Sequence, residues 1–134
     1  MDYRKSKAWQ RCDDLAVAIY EATRGFPKHE TYGLTSQMRR AAVSIAANIA
    51  EGSGRATRKD YLRFLYQARG SLREVEYYIH LARRLAYLSE ATARTLQATS
   101  DEAGSTLHGL ITYWEQHSGD DEETPPQSDT SSPD

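Results

Sequence analysis

The stretch from Leu34 to Arg55, LTSQMRRAAVSIAANIAEGSGR, constrains the chain most, because it reads as a helix with no solvent-facing side. Leu34 and Thr35 offer a hydrophobe and an N-capping hydroxyl, and Gly52-Ser53-Gly54 supply residues that end helices, which predicts a helix over about residues 36–53. At about 100° per residue, Met38, Ala42, Ile45 and Ile49 share one face, the core stripe of an amphipathic helix. Val43, Ala46, Ala47 and Ala50 cover the other side, and no charge falls between Ala41 and Ala50. A helix apolar all round is expected to be buried all round. In a domain this small the second cover is another copy of the chain, with Val43, Ala46, Ala47 and Ala50 as the oligomer interface. Alanine's intrinsic helix propensity is the competing reason for the same composition.

Three further helices follow from spacing and caps. Ser6 opens the first, over about residues 6–24, with Trp9, Leu15 or Ala16, Ile19 and Thr23 in register and Gly25 and Pro27 behind it. Thr57 opens the third with Asp60 three residues on, and Tyr61, Leu65, Ala68, Leu72, Val75, Ile79, Ala82 and Ala86 make one stripe over about residues 58–87. Ser89 opens the fourth, over about residues 90–117, with Ala93, Leu96, Ala103, Leu107, Leu110 and Trp114 on one face. With short turns and no alternating β-branched run, the pattern predicts an all-α fold, an antiparallel up-down-up-down four-helix bundle over residues 1–117. The third helix is the longest, so its overhang needs a cover. The connector before the second helix, with Phe26, Tyr32 and Leu34, is expected to pack down as that lid.

Charge divides the chain unevenly. The 39% hydrophobic content is diluted by residues 118–134, which carry six of the 19 acids, three prolines and none of the 17 Lys and Arg. Such a composition predicts a disordered acidic tail, and leaves the preceding body at +4 rather than the whole chain's −2. Ten basic residues lie between Arg39 and Arg84 against four acids. On the third helix Lys59, Arg63, Tyr66, Arg69, Arg73, Tyr77, His80 and Arg84 fall in one sector, with Glu74 and Glu76 at its borders and Arg55 and Arg58 thickening its start. Guanidinium groups suit phosphate and tyrosines stack on unpaired bases, so Arg55, Arg58, Lys59, Arg63, Arg69, Arg73 and Arg84 are candidate nucleic-acid contacts. A solvated face, or arginines paired with acids of a neighbouring protomer, is the alternative. The acidic tail complements this face and is a candidate cover for it.

A second polar set, Asn48, Glu51, Ser71 and Glu74, lies near the closed end of the hairpin of the second and third helices and suits a hydrogen-bonded network that fixes register and assembly geometry, joined by Arg40 or by an arginine of another copy. Enzyme signatures fail one by one. Glu74 and Glu76 are not followed three residues on by histidine, as a di-iron bundle requires. His29-Glu30 lacks the second histidine of a zinc helix, and Gly52 and Gly54 follow a helix rather than a strand. No catalytic residue, metal site, cofactor or small-molecule substrate is expected. The lone Cys12 permits no intrachain disulfide, and no apolar run is long enough to cross a membrane or to form a signal segment, which predicts a cytoplasmic protein without membrane partners.

Three motifs together make a recognisable pattern: Tyr32-Gly33-Leu34-Thr35 with Gln37, Arg40 and Ala41; Ser44-Ile45 followed by Asn48-Ile49-Ala50-Glu51-Gly52; and Ala68 with Gly70-Ser71 and Glu74. Over about residues 5–115 the chain resembles the four-helix-bundle proteins called 23S rRNA intervening-sequence proteins. The resemblance implies a small bacterial, cytosolic, non-enzymatic protein assembled as a homopentameric ring of bundles. A similar bundle is the accessory protein of diversity-generating retroelements, which implies RNA, DNA or a nucleic-acid enzyme as partner. A structural or protein-interaction module without nucleic-acid binding is the alternative.

Overall fold

The computed structural model describes residues 2–117, so the acidic segment 118–134 lies outside the described residues. Four long helices carry the chain: α1 Lys7–Thr23, α2 Leu34–Ser53, α3 Arg58–Arg84 and α4 Glu90–Glu115, with short 3-10 turns at Tyr3–Lys5 and Lys28–Glu30. No strand occurs among the described residues.

Three helix starts follow the local chemistry predicted for them. The hydroxyls of Ser6, Thr57 and Ser89 accept from the backbone N–H of Trp9 at 3.3 Å, Asp60 at 3.1 Å and Thr92 at 3.1 Å, each satisfying a donor that the first turn leaves open. The start of α2 differs from expectation. Thr35 lies inside the helix, Gly33 is the capping residue, and the open N–H of Leu34 donates instead to Glu30 Oε1 at 3.0 Å. A Cβ on Gly33 would come within 2.6 Å of that same oxygen, so the absent side chain makes room for the carboxylate. The end of α3 also differs, stopping at Arg84 rather than near Tyr87. Ala86 takes a left-handed φ of 62°, and the N–H of Tyr87 turns back to Ala82 O at 2.9 Å. Ala86 is thereby exposed, and the buried stripe ends at Ala82.

Each helix packs on two others, α1 on α2 and α4, and α3 on α2 and α4. Met38, Ile45 and Ile49 of α2, Leu65, Leu72 and Val75 of α3, Leu15 and Ile19 of α1, and Leu107 and Leu110 of α4 meet in one core. Ser44 of α2 touches Ser71 of α3, and Gly52 near the end of α2 faces Tyr61 and Phe64 near the start of α3. A Cβ at Gly52 would sit 2.7 Å from Phe64 Cβ, so the close approach of the two helices requires glycine there. Arg58 reaches Trp114 at one end of the α3/α4 pair and Arg83 reaches Glu90 at the other.

The connector between α1 and α2 does lie against the end of α3, through residues only partly those expected. Phe26 is buried with its ring 5.4 Å from Tyr87, and Tyr87 Oη donates to Glu30 Oε2 at 2.9 Å. Leu34 is buried, but Tyr32 is 95% exposed and belongs to no lid. The polar reach of Glu30, which holds α2 with one oxygen and α3's end with the other, does the work assigned to the Tyr32 ring.

Candidate functional site

The outer face of α3 gathers most of the basic residues. Lys59, Arg63, Arg69, Arg73, His80 and Arg84 are all exposed, and the rings of Tyr66 and Tyr77 stand among them, also exposed. Local partners orient several of these groups. Arg63 reaches Asp60 Oδ1 at 2.7 Å, Arg73 reaches Glu76 Oε1 at 3.2 Å, and Arg55 lies between Glu51 at 3.5 Å and Asp60 at 3.8 Å. The Arg55 and Arg63 guanidiniums flank the Phe64 ring at 4.5 and 4.6 Å, and Arg69 lies over Tyr66 at 5.0 Å. Tyr66 Oη donates to Glu115 Oε2 at 2.6 Å, which raises its pKa above the ordinary tyrosine value. A carboxylate of α4 therefore borders the stripe, a neighbour that helical spacing within α3 could not reveal.

Arg58 is the exception and corrects the sequence reading. It is 2% exposed, and Nη1 donates to Trp114 O at 3.1 Å. Arg58 falls on the side of α3 that faces α4, so it ties two helices together and presents no surface to a ligand. Its position one residue before the exposed Lys59 was the available signal, since about 100° of rotation separates neighbours on a helix.

The second face belongs to α2. Val43 is 45% exposed, Ala47 is exposed and Ala50 half-buried, whereas Ala46 is buried inside the single chain. Within one chain α2 is thus covered on all but one strip, and Ala46 belongs with its covered side because it sits at the packing seam. Arg39, one turn before Val43, lies 4.6 Å over the Tyr20 ring and donates to Thr23 Oγ1 at 2.8 Å. Tyr20 and Val17 of α1 are themselves 41% and 53% exposed.

The polar set divides. Ser44 Oγ and Ser71 Oγ share a hydrogen bond of 2.9 Å, and Asn48 Nδ2 donates to Ser44 O at 2.8 Å and to Ser44 Oγ at 3.0 Å. Ser44, absent from the predicted set, is its hub. Arg40 and Glu74 line the same shallow depression with Gln37, Ala41 and Tyr78, while Glu51 is exposed and turned to Arg55. Cys12 is buried, which pushes its thiol up to about 12 and makes it inert. No cluster of three metal-ligating side chains and no helix long and apolar enough to cross a membrane occurs among the described residues.

Four packed helices with their distinctive groups on outward faces define a small all-α bundle protein. The chain belongs to the 23S rRNA-intervening sequence protein family, matching it over residues 4–109, as the three motifs had implied. Its fold is similar to the crystal structure of a protein of unknown function from the S23 ribosomal protein family of Bacteroides thetaiotaomicron. That comparison has a TM-score of 0.69 at 24% identity, covering 78% of this chain and 97% of that one. No curated protein matches the chain.

Proposed function

We propose that this chain is a non-catalytic, cytoplasmic bundle that self-associates through the open strip of α2 and offers the outer face of α3 to nucleic acid. The observation that carries the assembly is the exposure of Val43 and Ala47 on a helix with no charge from Ala41 to Ala50. Apolar surface of that kind is stabilised by removal from water at roughly 25 cal/mol per Å², and a further copy of the chain supplies the cover. A pentameric ring, as the family resemblance implies, repeats the α3 face around its circumference. Within each protomer, the pairings Ser44 with Ser71, Arg58 with Trp114 and Arg83 with Glu90 support an antiparallel up-down-up-down path.

For the α3 face, the alternation of Arg63, Arg69 and Arg73 with Tyr66 and Tyr77 supports a single-stranded ligand, with phosphates on the guanidiniums and bases on the rings. The ion pairs of Arg63 with Asp60 and of Arg73 with Glu76 favour a second reading, a protein-interaction module whose charges serve solubility and orientation. Exposed pairs of this kind are worth only about 0–1 kcal/mol, so phosphate can displace them.

Light scattering of the wild type and of Val43→Glu tests the assembly: the wild type has the mass of several protomers, and the variant dissociates with unchanged helical circular dichroism. A monomeric wild type sinks the assembly reading. Oligonucleotide affinity across a salt series separates the two readings of α3, because phosphate binding weakens steeply with ionic strength and a solvated face binds at no salt.

A further inference from the structure

A closed ring with an odd number of copies repeats one contact head to tail, so the open strip of α2 meets a different surface of the next copy. One place on α3 is shaped for it. A Cβ on Gly52 would lie 2.7 Å from Phe64 Cβ and one on Gly104 3.3 Å from Leu72 Cδ2, so each of those glycines makes room for a neighbour in its own chain. Gly70 does not. It is exposed in the interior of α3, and a Cβ there would meet nothing within 4 Å. Glycine is a poor helix former, so Gly70 weakens α3 with no contact in its own chain to explain it, and it leaves bare backbone that another helix can approach closely.

We propose that α2 of one copy packs on α3 of the next, with Val43 seated on Gly70 and Arg40 paired with Glu74. This contact rests on the self-association reading above and supplies the surface that the strip meets. Charge sets its register. Arg40 lies one turn before Val43 and Glu74 one turn after Gly70; both are exposed, and among the described residues neither side chain makes an ion pair or hydrogen bond. Two antiparallel helices with Val43 on Gly70 therefore bring Arg40 to Glu74, and Ala47 to the ground between Tyr66 and Gln67. Further along, Glu51 comes level with Arg63. Each already has a partner in its own chain, Arg55 and Asp60, so the two sides meet there as neutral pairs. Ring symmetry asks for nearly the same register. Ser44 of α2 meets Ser71 of α3 within one chain, and rotation about an axis along the bundle carries a neighbour's α2 round without changing its height. On the antiparallel path proposed above, that height puts Arg40 within about one residue of Glu74 and Val43 within about two of Gly70, roughly 1.5 and 3 Å. Arg69, about 100° round the helix from Gly70, stays outside the contact.

Light scattering of the full chain, of Arg40→Glu, of Glu74→Arg and of the two variants refolded together tests the contact. The wild type is expected to have the mass of several protomers, and each reversal alone to weaken association roughly tenfold or more, because it sets like charges across the interface. The mixture is expected to recover most of the lost mass, since the reversed residue of each variant then faces its opposite on the other. Pairing of Arg40 with Glu74 inside one chain gives no recovery on mixing, and that result overturns the proposal. Gly70→Leu, which has open space around it in its own chain, is expected to lower the mass with unchanged helical circular dichroism, and an unchanged mass overturns the proposal. A wild type that is a simple dimer overturns the head-to-tail repeat. A monomeric wild type removes the self-association reading and this contact with it. If the wild type assembles and Val43→Glu dissociates it, while Glu74→Arg and Gly70→Leu leave it intact, self-association stands and α3 falls as the surface that α2 meets.

Discussion

The outer faces of α2 and α3 meet water in opposite ways. On α2, Val43 and Ala47 leave apolar surface open with no charge within the stretch Ala41–Ala50 to solvate it. On α3, exposed arginines recur along the face, and Arg63 and Arg73 each have an acid three residues away to hold. A charged face is stable in water and needs no partner, whereas an apolar one gains from being covered. The contrast therefore separates a face that gains from being covered from a face that is stable in water as it stands.

The largest test of that contrast compares two positions on α2 itself. Ile45 is fully buried, so Ile45→Ala is expected to cost about 2–5 kcal/mol in urea unfolding. Val43→Ala, two residues earlier on the open strip, is expected to cost no more than about 0.5 kcal/mol when unfolding is measured at a dilution where light scattering gives the mass of a single protomer. Equal losses at both positions would mean that the strip is not open.

On α3 the same logic sets Arg58 against Arg69. Arg58→Met removes a buried charged donor from Trp114 O and is expected to cost about 1–3 kcal/mol in the same unfolding assay, without altering oligonucleotide binding beyond that loss. Arg69→Ala is expected to leave the unfolding midpoint unchanged and to lower the slope of log affinity against log salt by about one phosphate contact. Should Arg69→Ala leave the slope unchanged, the α3 face is a solvated surface.

The smallest expected effect lies at the far end, where Glu30 joins the connector to α2 and α3. Its carboxyl is held below the ordinary 4.5, chiefly by the Leu34 N–H it accepts and then by the Tyr87 hydroxyl. The unfolded chain binds that proton more readily, so the stabilisation is present above pH 4.5 and is lost as pH falls through the lowered value. Tyr87, raised above 10 by the same hydrogen bond, loses its share as pH climbs through its raised value. Thermal melts of Glu30→Gln between pH 3 and pH 6 are expected to lack the wild-type acid slope in proportion to this one group. An unchanged slope would place the acid sensitivity elsewhere.

Much of this molecule is legible in its residues, for reasons that are local. Ser6, Thr57 and Ser89 cap because a side-chain oxygen three residues before an open N–H is a contact within one turn. The stripes of Met38 to Ile49 and Tyr61 to Ala82 are buried as their periodicity requires. The candidate sites were legible only by sector. Lys59, Arg63, Arg69 and Arg73 share an exposed face as spacing places them, but the Glu115 carboxylate at Tyr66 and the Ser44 hub between Asn48 and Ser71 come from helices meeting across the bundle.

The amino-acid order by itself determined that four helices form, where three of them begin, which side of each is apolar, and the family to which the chain belongs. Those properties depend on contacts within about one helical turn and on the repeat of about 3.6 residues. Only the tertiary structure decided that Ala46 is covered while Ala47 is open, and that Arg58 turns inward while Lys59 turns out. It also decided that Glu30 rather than Thr35 secures the start of α2. Neighbouring residues on a helix differ by about 100° in direction, and which of two falls in the seam depends on where the adjacent helices lie.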